Sequence, residues 1–284
     1  MSHAPKLIPA DLAPGDQRSA NAELPGIVFH LIESADDPFF QIGFDALTNL
    51  FGPMGEMETL SVLQHRFRWN TAQPVPGKPL FHYAMILALD PKNQVAAVRD
   101  YTAIVHAPPE RAAATVHLSH LWIHPDFRRS GLAGWMRAFP VETARTLLAR
   151  ARHALHAPIT LAAEMDLPKV QDPASTIRLL AYEKAGYRKV DPRVMPYLQP
   201  DFREPAAIDA SGTLQPIPMT PILRRVGHEA ESFAPASEIR IVVRDLYAMY
   251  SDTFRPADMA PLWEKWRAYP DGPTPIPLLP PSQL

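Results

Sequence analysis

The stretch from His117 to Gly134, reading HLSHLWIHPDFRRSGLAG, gathers the residue types with the most chemical reach. Residues 114–123 are β-branched, aromatic and apolar, a strand pattern stopped by His124 and Pro125. A short turn holding Arg128, Arg129, Ser130 and Gly131 then opens into a helical pattern. The first N–H groups of a helix have no intrahelical partner and lie at the positive end of its dipole. Where Gly131 and Ala133 let the backbone approach closely, those donors can wrap a pyrophosphate. Arg128 and Arg129 add charge and fork-shaped donors. The residues predict an anion-binding strand–turn–helix without naming the anion.

Four histidines, His106, His117, His120 and His124, raise the question of a metal. On a helix the last three would share a face, whereas on a regular strand His117 and His120 point to opposite faces. The strand pattern, and Asp126 as the one nearby carboxylate, argue against a metal site. Cysteine is absent, which excludes disulfide scaffolds, thiol catalysis and Cys-ligated zinc or iron–sulfur centres.

The elements that must position these residues form a mixed α/β pattern. Residues 26–32 read as a strand, and Asp37-Pro38 as a helix start before Phe40, Phe44, Leu47 and Phe51 at helical spacing. A second helix is expected over 56–67. Strands at 81–89 and 95–105 flank the turn Asp90-Pro91-Lys92-Asn93, a hairpin signal. After the strand at 114–123, a helix should run from about 131 to 153, kinked or split by Pro140. A buried strand at 159–163, a helix at 175–185 capped by Gly186, strands at 194–198 and 222–226, and helices at 238–250 and 258–266 complete the order.

Of 284 residues, 33 are proline, against an average usage of about 5%, and they concentrate at 196–221 and after 270, predicting irregular connections and an extended tail. The net charge of −2 provides no field to recruit nucleic acid or anionic lipid. The longest apolar run, 84–89, is far shorter than a membrane span, and residues 1–19 lack a signal-peptide pattern, so a cytoplasmic protein is expected.

Two motifs at matching distance carry a family resemblance. Arg128-x-x-Gly131-x-Ala133 after its strand, and Ile177-Arg-Leu-Leu-Ala-Tyr-Glu-Lys-Ala-Gly-Tyr187 downstream, resemble the acyl-coenzyme-A loop and the later helix of the GCN5-related N-acetyltransferases. The resemblance spans roughly residues 26–226. It implies an α/β fold with a mixed sheet: a flexible N-terminal arm over 1–25, an acyltransferase domain over 26–230, and a C-terminal helical extension with a proline-rich tail over 231–284. It also implies an acyl-CoA, most simply acetyl-CoA, as co-substrate, with no metal. Backbone groups of Leu121, Trp122 and Ile123 would bond the pantetheine arm like an added strand. Amides from Arg129 through Ser130, Gly131, Leu132 and Ala133 to Gly134 would cradle the pyrophosphate beside Arg128. Ser175 stands near a position where many members place an asparagine that contacts the cofactor.

The same resemblance assigns Tyr182 as the acid that protonates the departing thiolate and His117 as the general base, with His120 the next candidate. Glu164 is a further candidate base, although a carboxylate there is more often solvated. The expected partner is a small-molecule or peptide amine acceptor, with neither nucleic acid nor membrane, and a homo-oligomer is compatible with the sequence. A second reading, from another class, is a non-catalytic acyl-CoA-binding or assembly protein that keeps the scaffold. The acyl chain length and the acceptor are not readable from the residues.

Overall fold

The computed structural model describes residues 4–6, 8–54, 57–154, 156–166 and 173–283. Its contacts divide the chain into Met1–Leu161 with Arg225–Gly227, and Ala162–Arg224 with His228–Leu284. The boundary falls inside the strand Ile159–Met165, not near residue 230.

In the first unit, β1 (Val28–Ile32), β2 (Pro79–Leu89), β3 (Val95–His106) and β4 (Ala114–Ile123) form an antiparallel meander in chain order. Between β1 and β2 lie α1 (Phe40–Phe51) and α2 (Leu60–Phe67), and α3 (Leu132–Arg150) follows β4. The start at 56 expected for the second helix lies outside the described residues. Strands β2 and β3 are apolar on both faces because both faces are covered, one by α1 and α2 and the other by α3. On the first face Phe67 meets Tyr83 edge-on, with centroids 4.9 Å apart, and on the second Phe139 meets Phe29 at 5.1 Å. The β2–β3 turn closes on Asp90, whose Oδ1 accepts from Lys92 N–H and Gln94 N–H, each at 2.8 Å, while Asn93 takes a φ of +59°. This is the turn the tetrapeptide predicts.

Three local expectations change. Asp37 accepts from Phe39 N–H at 2.9 Å, so it shapes the turn before α1 and does not cap the helix. Pro140 neither ends nor splits α3, which runs unbroken through it; the helix is held by its burial against the sheet. The N-terminal segment is not a loose arm. It folds into two 3-10 turns, Pro9–Asp11 and Pro14–Asn21, and buries Asp11, Leu12, Ala13, Asp16 and Ser19. Asp16 forms a two-pronged pair with Arg137, at 2.8 Å to Nε and 2.6 Å to Nη2. Asp11 pairs with Arg145 in the same way. Both arginines belong to α3, far along the chain, so no local pattern reveals the anchor.

In the second unit, the chain continues from β5 (Ile159–Met165) into α4 (Pro173–Lys184), β6 (Arg188–Val190), β7 (Tyr197–Gln199), α5 (Pro205–Ser211), β8 (Ile217–Arg225), β9 (Phe233–Pro235), α6 (Ala236–Tyr250), α7 (Pro256–Arg267) and β10 (Pro275–Leu279). The strands pair antiparallel, β8 with β7 and β6, then β10 with β6 and β9. The proline-rich tail is therefore extended, as expected, but serves as a strand. Arg240 joins α6 to α7, donating to the carbonyls of Trp266 at 2.9 Å and Tyr269 at 2.8 Å and stacking on the Trp266 ring. Residues Arg225–Gly227 belong to the first unit, where Val226 N–H donates to the Ile159 carbonyl at 3.0 Å.

Candidate functional site

The register of β3 against β4 is broken at one place. Tyr101 pairs with Leu118 and Arg99 with Leu121, so Asp100 alone faces Ser119 and His120. This is a β-bulge, and it overturns the alternation expected for the two histidines. Thr102, opposite His117, shares the face of Asp100, and Ser119 Oγ lies 3.3 Å from His117 Nδ1. His120 Nδ1 lies 2.9 Å from Asp100 Oδ1. The bulge therefore brings His117, Ser119 and His120 to one face of the sheet, the face covered by α1 and α2. Phe51, at the end of α1, tilts against the His120 ring with centroids 4.8 Å apart.

Asp100 is fully buried and accepts from three donors. His120 gives it both the backbone N–H and Nδ1–H, each at 2.9 Å to Oδ1. Tyr83 OH donates to Oδ2 at 3.1 Å. Burial alone would raise the Asp100 pKa; the charge and hydrogen bonds of His120 outweigh it and hold the carboxyl below its usual range. An ionised Asp100 keeps a His120 proton on Nδ1. Burial drives the Tyr83 hydroxyl well above its ordinary pKa, so it remains a donor. Asn70 clamps the Tyr83 backbone, accepting from its N–H and donating to its carbonyl, both at 2.8 Å. Arg66, paired with Glu58, lies over the same ring at 5.9 Å.

Asp100 and Tyr83 were not among the candidates read from the sequence. A signal existed: Arg99-Asp100 interrupts an otherwise apolar strand, and a carboxylate in a doubly covered strand needs a reason to be there.

Beyond the bulge, His124 N–H bonds the Ala96 carbonyl at 2.9 Å. Counting back by two, Trp122 turns its backbone groups to β3, while those of Leu121 and Ile123 turn to the other edge of the strand. Of the three residues expected to hold a pantetheine arm, Leu121 and Ile123 thus have the orientation an added strand needs.

The turn that follows is built by its own side chains. His124 Nδ1 accepts from Asp126 N–H at 3.3 Å, and Ser130 Oγ donates to the Phe127 carbonyl at 2.7 Å while accepting from Leu132 N–H at 3.3 Å. Arg129 has a φ of +68° and Gly131 one of +93° at the start of α3, and within this turn Ser130 N–H donates to the Phe127 carbonyl at 3.4 Å and Gly134 N–H to the Gly131 carbonyl at 3.0 Å. Arg128 and Arg129 are exposed.

The small residues here have a second duty. A Cβ on Gly131 would stand 2.6 Å from Ala22 Cβ, and one on Gly134 would stand 2.9 Å from Ser19 Cβ and 3.1 Å from Asp16 Cβ. Trp135 Nε1–H donates to the Ser19 carbonyl at 3.0 Å. Gly134 is buried under the N-terminal segment, so its size serves protein packing.

In the second unit, Tyr182 lies in α4 and is 6% exposed, with its ring edge-on to Tyr187 at 4.9 Å. Ser175, in the first turn of the same helix, is buried, and its Oγ has no partner among the described residues. Glu164 is not a solvated carboxylate, since Tyr250 OH donates to it at 2.6 Å and Tyr197 OH donates to its other oxygen. Among the described residues no three His, Asp or Glu side chains converge as a metal site, and no helix is long and apolar enough to cross a membrane.

No family model and no curated protein matches the sequence. Among solved structures the chain is similar to spermidine N-acetyltransferase from Vibrio cholerae in complex with CoA and spermine, at 10% identity over 72% of this chain and 98% of that one, with a TM-score of 0.34. It is likewise similar to a GCN5-related N-acetyltransferase from Sphaerobacter thermophilus, at 19% identity over 67% of this chain and 44% of that one, with a TM-score of 0.29. An acetyltransferase from Staphylococcus aureus shares 7% identity over 70% of this chain and 99% of that one, at a TM-score of 0.33. At scores of this size, the activities those names carry are properties of those proteins alone.

Proposed function

We propose that the chain is an acyl-coenzyme-A-dependent N-acyltransferase, most simply one that moves an acetyl group to a primary amine. The observation that carries this reading is the bulge of β4, which sets His120 against an ionised, buried Asp100 directly before Leu121 and Ile123. In this reading His120 Nε2 takes the proton of the attacking amine, and Asp100 fixes the tautomer and stabilises the imidazolium that forms. His117, which the resemblance favours as base, becomes a neighbour that shapes the same face.

The residues present suit an acyl-CoA. The turn over 129–133 with the exposed Arg128 and Arg129 suits a pyrophosphate, and the backbone groups of Leu121 and Ile123 that turn away from β3 suit an amide-bearing arm. An acyl-CoA supplies the thioester, whose acyl group is transferred directly to the amine with CoA leaving as the thiol. Tyr182 is the assigned donor of the proton to that sulfur. Holding both reactants side by side supplies much of the acceleration in a transfer without a covalent enzyme intermediate.

The test is calorimetric titration of the chain with CoA and acetyl-CoA, followed by a CoA-release assay over a panel of primary amines. Saturable binding of both, and release that depends on an amine, is the expected result. If neither thioester nor thiol binds, the proposal fails.

A further inference from the structure

The N-terminal segment and α3 run against each other in opposite directions, rung by rung. Side chains at i and i+3 eclipse in a 3-10 helix, so Asp16, Ser19 and the following Ala22 line one side of Pro14–Asn21. Opposite them, Ala22 and Ser19 lie against Gly131, and Ser19 and Asp16 against Gly134. Asp16 then pairs with Arg137, and Asp11 with Arg145 further along the helix. Trp135 Nε1–H, donating to the Ser19 carbonyl, ties the segment to the first turn of α3.

We propose that residues 9–22 are a strap that holds the turn 128–134 in shape, so that docking of the strap and binding of CoA at that turn reinforce each other. The ordering of the turn is argued from these contacts alone, whereas the link to CoA rests on the acyltransferase reading.

The turn has little of its own to keep it ordered. Gly131 stands at a φ of +93°, and glycine loses more backbone freedom on ordering than any other residue. Within the turn Ser130 Oγ bridges the Phe127 carbonyl and Leu132 N–H, while Arg128 and Arg129 are exposed. The strap supplies a buried wall behind both glycines: the place of a Cβ on Gly131 is 3.4 Å from Ser19 Cα, so backbone lies against backbone there. Its two ion pairs are made to the body of α3 and not to the turn, so the helix itself fixes where Ser19 and Ala22 sit. A ligand that meets an ordered turn does not have to order it on binding. Linkage makes the effect mutual: a strap that raises CoA affinity by some factor is held more firmly by the same factor once CoA is bound. The strap also precedes the stretch of about 26–226 that carries the family resemblance, so this support is no part of that pattern.

The experiment compares the full chain with Asp11→Asn and Asp16→Asn, which loosen the strap at its anchors and leave every residue of the turn in place. Asp11→Asn is the milder change, because its partner Arg145 is partly exposed. Leu63→Ala, in the buried face of α2 on the other side of the sheet, is the control for lost stability alone. Three quantities are read well below the melting temperature of each protein: hydrogen exchange of the amides of 128–134 without ligand, CoA affinity by calorimetry, and trypsin cleavage after the exposed Arg18 of the strap. Exchange at the turn is expected to rise about fivefold or more, and CoA to bind about fivefold or more weakly, in both strap variants and not in Leu63→Ala. Saturating CoA should slow the cut after Arg18 in the parent chain. Turn exchange that matches the parent in both strap variants, an equal rise in Leu63→Ala, CoA affinity unchanged in both strap variants, or a cut after Arg18 indifferent to bound CoA would each overturn the strap. A parent chain that binds no CoA defeats the acyltransferase reading instead, and exchange at the turn then decides by itself whether the strap orders it.

Discussion

Asp100 Oδ1 accepts from both the backbone N–H and the Nδ1–H of His120, each at 2.9 Å, at the one point where β4 has two residues against a single residue of β3. The bulge and the dyad are one feature: the extra residue frees the His120 amide from the ladder, and the carboxylate takes up both it and the ring. Because Asp100 is buried and Tyr83 holds its other oxygen, the imidazole has little freedom to turn away. A base oriented in this way starts its reaction already aligned.

His120→Gln should lower amine-dependent CoA release by about 10² to 10⁴-fold, the usual range for loss of a general base, with CoA affinity preserved. Asp100→Asn, which lets the imidazole adopt the other tautomer, should produce a smaller loss in the same direction. His117→Gln should cost less than either. The comparison of turnover among the three variants decides between the histidines, and a larger loss for His117→Gln would return the base to that residue.

Tyr182→Phe removes only a hydroxyl from a buried ring that packs on Tyr187, so the fold should be retained. A role as the acid toward the leaving thiolate predicts a fall in turnover of about tenfold or more, at unchanged melting temperature. An unchanged rate would make Tyr182 a packing residue only.

Asp100 also ties stability to pH. Its folded-state pKa is depressed, so its contribution is present above the ordinary aspartate range near 3.9 and is lost as pH falls through the lower folded value. Thermal melts from neutral to acid pH should therefore show a loss at the acid end that is reduced in Asp100→Asn. That variant should be less stable than the parent at neutral pH, since it removes the charged partner of His120.

Gly134→Ala places a Cβ against Ser19 and Asp16 and should destabilise the chain by about 1–3 kcal/mol, as overpacking does. Ser19→Gly in the same chain should restore part of the loss. A melting temperature unaffected by Gly134→Ala would show that the N-terminal segment yields easily there.

Asp16→Asn leaves Arg137 buried without its charge partner, and breaking a pair of this kind costs about 3–5 kcal/mol. Replacing both residues by apolar ones, Asp16→Leu with Arg137→Met, should cost less than the single change. Denaturant melts of the three variants check the ordering, and proteolysis of the N-terminal segment in Asp16→Asn reports whether it has come loose.

Much of the scaffold was legible from residue order. The Asp90 turn, the apolar runs of β2 and β3, the strand–turn–helix at Arg128 to Gly134 and the helix before Gly186 all have local signatures, since each is decided by neighbours within a few residues. The paired loop and later helix also carried the family resemblance. Three things were decided by the folded chain alone. The bulge exists because β3 and β4 slip by one residue against each other, and a register shift is a property of two strands together. The anchor of residues 9–21 depends on arginines more than a hundred residues away. The role of Gly134 depends on which segment comes to lie against it. Composition and periodicity record what a stretch of chain prefers; only the closed structure, in which distant charges and small residues must find partners at short range, selects which histidine meets a carboxylate.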